Sequence, residues 1–565
     1  MQIVSPKQMR EIELRSEELG VSRAQLMENA GAALAEIIDE RFRSESVRVP
    51  GDKSIVFLAG SGNNGGDCFV AARYLSEIGY GVTVVNIGSI PQTDLARDAF
   101  RRLAGTRVQA LRAYRGQSVK RSIEAAELDF MTGSQEKNPE EEAVPTALDK
   151  IRMEEKQRIE RVMEALEKAD VIVDGVFGTG FHGRLDGEIS EFLAAGSRAY
   201  RIAVDVPSGG NCATGEVSEG TFCADETIAL GALKNGMTQY PLKGHCGRIS
   251  IADIGIPDAA YRIADDEKKY TLTDSSELKG FPKKRDPDSH KNDFGRVLCI
   301  CGSAGMRGAA ALSVMGALRS GAGLVNLASC TECVNTVSVL APEAMFTQLD
   351  CDDYGYSLYE CSRQLIESEM KKADAILIGC GLGVTEDTKE LTKFVVENAN
   401  CPIIIDADGI NCIASDIDIL LKKKTDIILT PHPGEMARLA GITAAEVNRD
   451  RFSAAAFFAE KYGVTVVMKG AGTVVADSGR TSVNSTGNPG MSKGGSGDVL
   501  AGITASLAAQ GYSMYDSARF AAYIHGLAGD IAAEKHGEEF MLPRDIIDAL
   551  SDSYRLIKEK NESAV

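Results

Sequence analysis

The chain of 565 residues has no tryptophan and only 6 histidines. No apolar run comes near the roughly 20 residues that a membrane-spanning helix needs. Basic residues are fewer than acidic ones: the chain has 62 lysines and arginines and 81 aspartates and glutamates, which gives a net charge of −19 at pH 7. Such a charge disfavours nucleic acid and anionic lipid surfaces as partners. The first residues, Met1 to Lys7, carry no apolar signal-peptide core. We therefore expect a cytoplasmic protein that binds neither nucleic acid nor membranes.

The 13 cysteines do not have the arrangement of a disulfide framework. Their number is odd, and several lie in apolar strands such as residues 297–301, which is typical of reduced, buried thiols in a cytosolic protein. Cys330 and Cys333 have the separation of a zinc-binding pair, but no second pair or histidine follows at the spacing of a zinc finger. We expect no metal or redox chemistry from this pair.

Length and composition indicate a globular protein with more than one core. Hydrophobic residues make up 44% and charged residues 25% of the chain, which is ordinary for such proteins. A prior of roughly 150 residues per domain allows about two to four domains. Residues 257–285 are polar and punctuated by prolines, between two stretches in which apolar strands alternate with helical patterns. We predict two α/β domains, residues 1–268 and 269–565.

The first half begins with a helical pattern and then a strand, a glycine-rich loop, a helix and a second strand. Residues 54–59 form the first apolar strand, the loop covers 60–67, and the second strand covers 82–86. This order predicts a right-handed βαβ unit in a parallel sheet. The loop glycines also fit the spacing G-x-G-x-x-G of dinucleotide-binding proteins, but that match alone is a weak indication.

Three apolar strands of this half each lead into a loop that carries an acid, namely Asp67, Asp174 and Asp205. The carboxyl ends of parallel strands meet at one edge of the sheet, so we expect these loops to converge. A single acid in such a place is more often a turn or capping residue. Three of them beside Asn64 and Ser208 favour a site, and such oxygen ligands suit a hard cation, including a monovalent one.

Residues 111–169 differ in character from the rest of the first half. They are rich in charge, and residues 151–168 alternate charges at helical spacing. We interpret this segment as a partly flexible insertion followed by a solvated helix, with no functional site.

The second half repeats the strand-and-loop pattern and contains the segment Asn488–Asp498, which holds four glycines and two serines. An apolar run with helical spacing follows it. The glycines predict a loop with backbone close to a ligand, and the helix N-terminus behind it favours an anion such as phosphate. Asp498 falls in the first helical turn, where helix capping is the alternative to a catalytic role.

Several motifs of the second half resemble the ribokinase-like superfamily and, within it, the NAD(P)H-hydrate dehydratases. The first half resembles the epimerase that partners these dehydratases. The motifs of the second half are residues 290–295, 321–325, 430–435, 469–473 and 488–498, and those of the first half are 62–67, 173–180 and 204–209.

This resemblance implies two three-layer α/β/α domains: a Rossmann-like epimerase domain and a ribokinase-like dehydratase domain. It further implies repair of hydrated NADH and NADPH. The epimerase would interconvert the R and S hydrates, and the dehydratase would remove water from the S hydrate with ADP, leaving AMP and phosphate. The implied cofactors are potassium at the epimerase site, ADP as phosphoryl donor and Mg²⁺ in the dehydratase. We also expect a homo-oligomer.

The resemblance also suggests roles for individual residues. Asp498 and Asp205 are the expected catalytic groups, and both would also contact substrate. Expected potassium ligands are Asn64, Asp174 and Ser208. The other expected substrate-binding residues are Asn63, Asn64, Gly65, Gly66, Asp67, Gly178, Thr179, Gly180, Phe181, His182, Gly183, Arg184, Ala322, Gly381, Gly383 and His432. The expected nucleotide-binding residues are Lys469, Gly470, Ala471, Gly472, Thr473, Gly494, Gly495, Ser496 and Gly497.

Structural alternatives remain for some of these residues. Lys469 could be a strand-end lysine that extends to solvent, and His432, between two prolines, could only make a turn hydrogen bond. Ala322, Gly381 and Gly383 could serve close packing alone. At the level of the whole chain, the alternatives are a ribokinase-like small-molecule kinase and a non-catalytic nucleotide sensor.

Overall fold

The computed structural model describes residues 2–44, 53–113, 147–262 and 269–563. The chain forms two compact units. The N-terminal unit covers Val4–Ile263, and the C-terminal unit covers Ala264–Val565 together with Met1–Ile3. Among the described helices, none has both the length and the apolar character needed to cross a membrane.

A seven-stranded parallel sheet forms the centre of the N-terminal unit. Alternate residues of its central strand point to opposite faces: Ile55 and Phe57 enter one hydrophobic cluster, Val56 and Leu58 another. Helices cover both faces, so the predicted three-layer arrangement is confirmed. In spatial order the strands are Gln109–Arg112, Gly81–Asn86, Ser54–Ala59, Val171–Gly175, Tyr200–Val204, Glu226–Leu230 and Arg248–Ala252.

Two helices of this unit differ from the prediction. The helix Asn63–Ile78 begins inside the predicted glycine loop. Its Gly65 and Gly66 lie against backbone and side chains that a Cβ would strike. The helix Ala147–Glu167 was expected to be solvated, but Val162 and Leu166 are fully buried against the sheet. The alternating charges of this helix therefore belong only to the face that points away from the sheet. Residues 114–146 of the predicted insertion lie outside the described part of the chain.

The remaining elements of the N-terminal unit are short or flank the sheet. The α-helices are Pro6–Glu18, Arg23–Ser44, Asp94–Arg101, Gly187–Ala194 and Leu242–His245, the 3₁₀ helices are Asn235–Thr238 and Asp258–Tyr261, and a two-residue strand covers Leu233–Lys234.

The C-terminal unit is built on a larger, mixed sheet. Its first seven strands are parallel, as expected for βαβ units, and a β-hairpin extends the sheet beyond them. The hairpin and the edge strand Met345–Gln348 were not predicted. In spatial order the strands are Met345–Gln348, Leu324–Ser329, Arg296–Ile300, Ala375–Ile378, Ile403–Ile405, Ile427–Leu429, Thr465–Met468, Val474–Ala476, Arg480–Asn484, Lys269–Thr273 and Gln2–Val4.

Two helices of this unit pack unusually closely. A Cβ on Gly502 would lie 2.2 Å from the Ser313 carbonyl oxygen, and one on Gly316 would lie 2.8 Å from that of Val499. Glycine at both positions therefore seats the helix Ser496–Ala509 firmly against its neighbour Arg307–Arg319.

The other helices surround the sheet of the C-terminal unit. The α-helices are Thr331–Leu340, Tyr359–Met370, Glu386–Asn398, Ala407–Ile413, Pro433–Ala440, Ala444–Arg449, Arg451–Tyr462, Met514–His536 and Pro543–Ser563, and the 3₁₀ helices are Ser275–Glu277, Lys291–Phe294, Ala414–Lys422 and Pro489–Met491.

Candidate active sites in the two units

The glycine-rich segment of the C-terminal unit ends at a helix N-terminus. Gly495 caps the helix Ser496–Ala509 with φ of 103°, a left-handed conformation that glycine adopts without strain. Asp498 is half-buried in the first turn, where the backbone N–H groups lack intrahelical partners. The Ser496 hydroxyl and the His525 Nε2 are buried nearby, and neither has a hydrogen-bond partner among the described residues. This end of the helix therefore offers several polar groups to a ligand.

A second carboxylate, Asp406, links the ends of neighbouring strands. It is 1% exposed and follows the strand Ile403–Ile405 directly. Its Oδ1 accepts hydrogen bonds from the Lys469 ammonium at 2.6 Å and the Thr430 hydroxyl at 2.7 Å. Its Oδ2 accepts one from the Cys380 thiol at 3.5 Å. Lys469 is therefore held in a buried ion pair and does not extend freely into solvent.

Burial and the neighbouring charged groups determine the pKa of Asp498. Burial and, to a smaller extent, the neighbouring Asp406 carboxylate raise it to about 6, against opposing effects of Cys380 and Lys469. Burial by itself would lower the pKa of Lys469, but Asp406 and Glu435 together raise it, so the lysine stays charged. A carboxyl group with a pKa near 6 can accept a proton at neutral pH, which is a requirement for a general base.

Arg451 holds the loop that follows the strand Thr465–Met468. Its guanidinium donates to the carbonyl oxygens of Met468 at 3.0 Å, Lys469 at 3.1 Å, Ala471 at 2.8 Å and Gly472 at 3.4 Å. Because a peptide N–H points opposite to its C=O, the amide groups that follow Lys469 and Gly472 turn away from Arg451. They are available to an anionic ligand on the other side of the loop.

His432 occupies the N-cap of the helix Pro433–Ala440. Its Nδ1 accepts hydrogen bonds from the backbone N–H groups of Gly434 at 3.0 Å and Glu435 at 3.3 Å. The side chain itself is exposed. The Glu435 carboxylate accepts from the His432 backbone N–H at 2.8 Å and lies 3.9 Å from the Lys469 ammonium. The turn hydrogen bond is thus present, and the substrate contact of His432 stays a prediction.

The three small residues predicted to face the substrate have packing roles. Gly381 and Gly383 adopt positive φ, and a Cβ there would lie 2.7 Å from Met306 and 2.3 Å from Tyr356, respectively. The Gly383 N–H also donates to the Asp408 carboxylate at 2.9 Å. Ala322 is half-buried against the hydrophobic core of this unit. Their contact with substrate stays a prediction.

The N-terminal unit contains a cavity of about 740 Å³. It lies where the strands Ser54–Ala59, Val171–Gly175 and Tyr200–Val204 end, as the positions of the acids predicted. The predicted site residues that line it are Asn63, Asn64, Asp67, Gly178, Thr179, Gly180, Phe181 and Asp205.

Other residues predicted for this site do not line the cavity. His182, Gly183 and Arg184 are exposed and outside its wall, whose cations are instead Arg10, Arg23 and Lys234. Gly65 and Gly66 are buried in close packing, since a Cβ would meet the Gly60 carbonyl oxygen at 2.0 Å or Met27 at 2.5 Å. The reason is that the helix starts earlier than the glycine pattern implied.

Asp205 and Lys234 form a buried ion pair in the wall of the cavity. Lys234 is 1% exposed and donates to the Asp205 carboxylate and, at 2.9 Å, to the Leu230 carbonyl oxygen. The Leu230 N–H also donates to Asp205, at 3.1 Å. Asp205 itself has a φ of 66°, which is rare outside glycine. Strained backbone at a strand end beside a cavity is typical of functional sites.

Two further carboxyl groups lie near this pair. Burial raises the pKa of Asp67 well above its usual range, and Asp205 and Glu13 raise it further. The pKa of Glu13 is also raised, by burial and then by Asp205. Lys234 thus contacts Asp205, while Asp67 and Glu13 lie close enough to Asp205 for their pKa values to be raised. A carboxyl group whose pKa is raised holds its proton more tightly, as a general acid requires.

Asn64, Asp174 and Ser208 are brought together, as predicted. Asp174 is fully buried and accepts hydrogen bonds from the Ser208 hydroxyl at 2.6 Å, the Ser208 N–H at 2.7 Å and the Val176 N–H at 3.1 Å. Burial raises its pKa to about 6, against these bonds. The Asn64 side-chain amide donates to two backbone carbonyls, at 2.9 and 3.2 Å. This set of oxygen atoms, without sulfur or imidazole, suits a hard cation.

The sequence analysis missed several residues of these sites, among them Asp406, Glu13, Lys234, Cys380 and Arg451. Asp406 follows a strand as the recognised acids do, so the same signal could have found it. Glu13, Lys234, Cys380 and Arg451 lie in helices or at strand ends where no local pattern marks them. Only their long-range contacts reveal them.

Two family models match the two halves of the chain. A family model described as NAD(P)H-hydrate dehydratase matches residues 297–552, and one described as YjeF-related protein N-terminus matches residues 23–236. The solved structure of an ADP/ATP-dependent NAD(P)H-hydrate dehydratase from Bacillus subtilis has a TM-score of 0.44 at 27% identity, over 51% of this chain and 98% of that chain.

Two relatives align with nearly the whole chain and therefore include the regions that both family models match. The chain is 33% identical to the bifunctional NAD(P)H-hydrate repair enzyme Nnr of Moorella thermoacetica, over 100% of this chain and 99% of the relative. It is 32% identical to the protein of the same name from Escherichia coli, over 94% of this chain and 90% of the relative. This chain therefore belongs to the family of bifunctional NAD(P)H-hydrate repair enzymes.

Proposed function

We propose that this chain repairs hydrated NADH and NADPH. Residues 1–268 epimerise the R and S hydrates, and residues 269–565 dehydrate the S hydrate with ADP, giving NAD(P)H, AMP and phosphate. The observation that carries the proposal is Asp498: a carboxyl group with a pKa of about 6, at a helix N-terminus, beside the buried Asp406–Lys469 pair.

Dehydration needs help because hydroxide is a poor leaving group. Phosphorylation of the ring hydroxyl turns it into a phosphate, which leaves readily. Asp498 takes the hydroxyl proton, and the N–H groups at the start of the helix Ser496–Ala509 stabilise charge on the phosphoryl group in transfer. Elimination of phosphate from this carbon, with loss of a proton from the adjacent ring carbon to solvent, then restores the double bond of the reduced ring.

The nucleotide binds to the loop Lys469–Thr473, whose amide groups Arg451 turns outward, and to Gly494–Gly497. Mg²⁺ accompanies nucleotide phosphates in such reactions and neutralises their charge. Asp408, half-buried and close enough to raise the pKa of Asp498, supplies an oxygen ligand of the type that Mg²⁺ prefers. His432, Ala322, Gly381 and Gly383 complete the substrate site in this proposal.

Epimerisation uses the cavity of the N-terminal unit. Inversion at the carbon that carries the hydroxyl requires a bond to this carbon to break and to form again from the other face. Asp67, whose pKa is raised, protonates the departing oxygen, which leaves as water, and Asp205 takes a proton from the water that adds to the carbon from the other face. Arg10 and Arg23 line the same cavity and are suited to the phosphates of a dinucleotide, whereas Arg184, expected to bind substrate, lies outside its wall.

Potassium is the cation that best suits the oxygen cluster beside this cavity. Asn64, Asp174 and Ser208 hold it, together with the carbonyl oxygens of Phe177 and Val204, towards which the Asn64 amide points. Bound there, a monovalent ion stabilises the buried Asp174 anion and the loop that follows its strand. The proposal also includes a homo-oligomer in the cytoplasm, which sedimentation of the purified protein and cell fractionation test.

The test is an assay with purified R and S hydrates. With ADP or ATP in parallel, we expect the absorbance of the reduced ring to return, with ADP as the better donor. Asp498→Asn should lower dehydration at least 1,000-fold and leave epimerisation unchanged. Phosphorylation of the hydrate without return of the reduced ring would favour the small-molecule kinase, and nucleotide binding without turnover the sensor.

A further inference from the structure

A thiol lies at the dehydratase centre without a role in the proposed reaction. Cys380 is fully buried, and its Sγ is 3.5 Å from the Asp406 Oδ2. One ligand atom each from Cys380, Asp406 and Asp498 lie within 4.8 Å of one another. Sulfur and two carboxylates thus converge on one point at the start of the helix Ser496–Ala509.

The distance of 3.5 Å between the Cys380 Sγ and the Asp406 Oδ2 matches the ligand–ligand edge of a tetrahedral metal site. Zinc binds sulfur at about 2.3 Å and carboxylate oxygen at about 2.0 Å, so the edge between two such ligands is roughly 3.5 Å. The carboxylate of Asp406 is free for this purpose on one side, because its Oδ1 receives Lys469 and Thr430 while its Oδ2 faces the thiol.

The charges also favour a divalent ion. Asp406 and Asp498 as anions and Lys469 as a cation together carry one negative charge. A divalent ion and the thiolate of Cys380 add one positive charge, so the buried group becomes neutral. Binding releases the thiol proton to solvent. A thiolate ligand selects zinc or cadmium over Mg²⁺, which prefers oxygen.

We propose that Cys380, Asp406 and Asp498 form a binding site for a thiophilic divalent cation, with Zn²⁺ as the physiological candidate. The ion takes the carboxylate of Asp498 as a ligand and so blocks it as a proton acceptor. The binding site stands on the geometry alone, whereas the expected inhibition of dehydration rests on the proposed function of Asp498.

Cd²⁺ is a suitable probe because its thiolate complexes absorb in the ultraviolet. We expect Cd²⁺ to give this absorption with the full chain, Zn²⁺ to displace it and a large excess of Mg²⁺ to leave it unchanged. Cys380→Ser and Cys380→Ala should each lower, at least tenfold, the affinity for the Cd²⁺ that Zn²⁺ can displace. Cys330→Ser, which removes another buried thiol of the same unit, should not.

The outcomes separate the two claims. If Cys380→Ser retains native Cd²⁺ affinity, or only Cys330→Ser loses it, the metal site is wrong, even where dehydration works as proposed. If Zn²⁺ binds through Cys380 but leaves dehydration untouched, the site stands and the role of Asp498 is wrong. Reversal of the inhibition by a chelator, with epimerisation unaffected, supports both. Circular dichroism of the two Cys380 variants establishes that they are folded.

Discussion

At the scale of the residue, burial of one acid beside another sets the chemistry in both units. Asp498 lies near Asp406, and Asp67 lies near Asp205. In each pair, a lysine compensates one carboxylate, Lys469 for Asp406 and Lys234 for Asp205. The other acid is left with a raised pKa. Burial of a carboxyl group beside a second acid in this way costs folding stability, because the charged form is disfavoured.

The cost should be measurable in Asp498→Asn. A pKa of about 6 instead of 3.8 means that folding is opposed by an amount of the order of 1–3 kcal/mol above pH 6, where the carboxylate must be buried as an anion. The neutral variant should therefore unfold at higher denaturant concentration than the native protein at pH 8. The difference should shrink as the pH falls through 6 and vanish below pH 4. An equal difference in stability between the two proteins at pH 8 and below pH 4 would contradict the raised pKa of Asp498.

Lys234→Met tests the ion pair of the N-terminal unit. The substitution leaves the Asp205 carboxylate buried without its cation. Asp205 then no longer serves as the base of the epimerisation. We expect epimerisation to fall about 100-fold and dehydration of the S hydrate to stay unchanged. Lys168→Met, which removes an exposed lysine, is the matched control. Equal activities of the two variants would rule out the role of Lys234.

At the scale of the element, strand ends and helix starts carry the sites, and residues from other elements hold them in place. The loop after the strand Thr465–Met468 has four of its carbonyls fixed by Arg451, which begins the helix Arg451–Tyr462. The helix Ser496–Ala509 is seated by glycine contacts with Arg307–Arg319. Neither support touches the reacting atoms, yet each orients backbone N–H groups towards the proposed nucleotide.

Arg451→Met should therefore act on nucleotide binding more than on chemistry. Without the guanidinium the loop loses four hydrogen bonds, and we expect the KM for ADP to rise about tenfold or more, with a smaller change in kcat. Arg451→Lys, which keeps the charge but not the fork of donors, should recover only part of the affinity. The epimerase rate serves as an internal control for folding of the rest of the chain. An unchanged KM in Arg451→Met would remove the positioning role.

At the scale of the whole molecule, each unit contains the groups for one reaction. Asp205 and Lys234 lie in the N-terminal unit, and Asp498 and Lys469 lie in the C-terminal unit. In each described unit, the ends of parallel strands supply several residues of the candidate site. The two activities should therefore be separable by single substitutions in the full chain.

An equimolar mixture of the variants Asp205→Ala and Asp498→Asn tests this separation. Asp205→Ala alone should repair only the S hydrate, and Asp498→Asn alone should repair neither. Mixed, they should convert the R hydrate completely, because the S hydrate made by one protein reaches the other through solution. Failure of the mixture, with each single activity intact, would show that the hydrate is not released between the two reactions.

The amino-acid sequence by itself determined the α/β class of both halves, most of the parallel strands and the acids that follow them. These features are local, because apolar runs form buried strands and glycines mark the turns after them. It did not reveal the hairpin Val474–Asn484 or the buried face of the helix Ala147–Glu167, where a few apolar side chains within a charged pattern decide the packing.

The tertiary structure alone decided which side chains work together. Lys469 and Asp406 are 63 residues apart in the chain, and Lys234 and Asp205 are 29 apart, yet each pair forms a buried ion contact. The raised pKa values of Asp498 and Asp67, and the thiol of Cys380 beside two acids, depend on the same long-range approach. Burial and the Coulomb interaction act through space, so no local pattern in the chain records them.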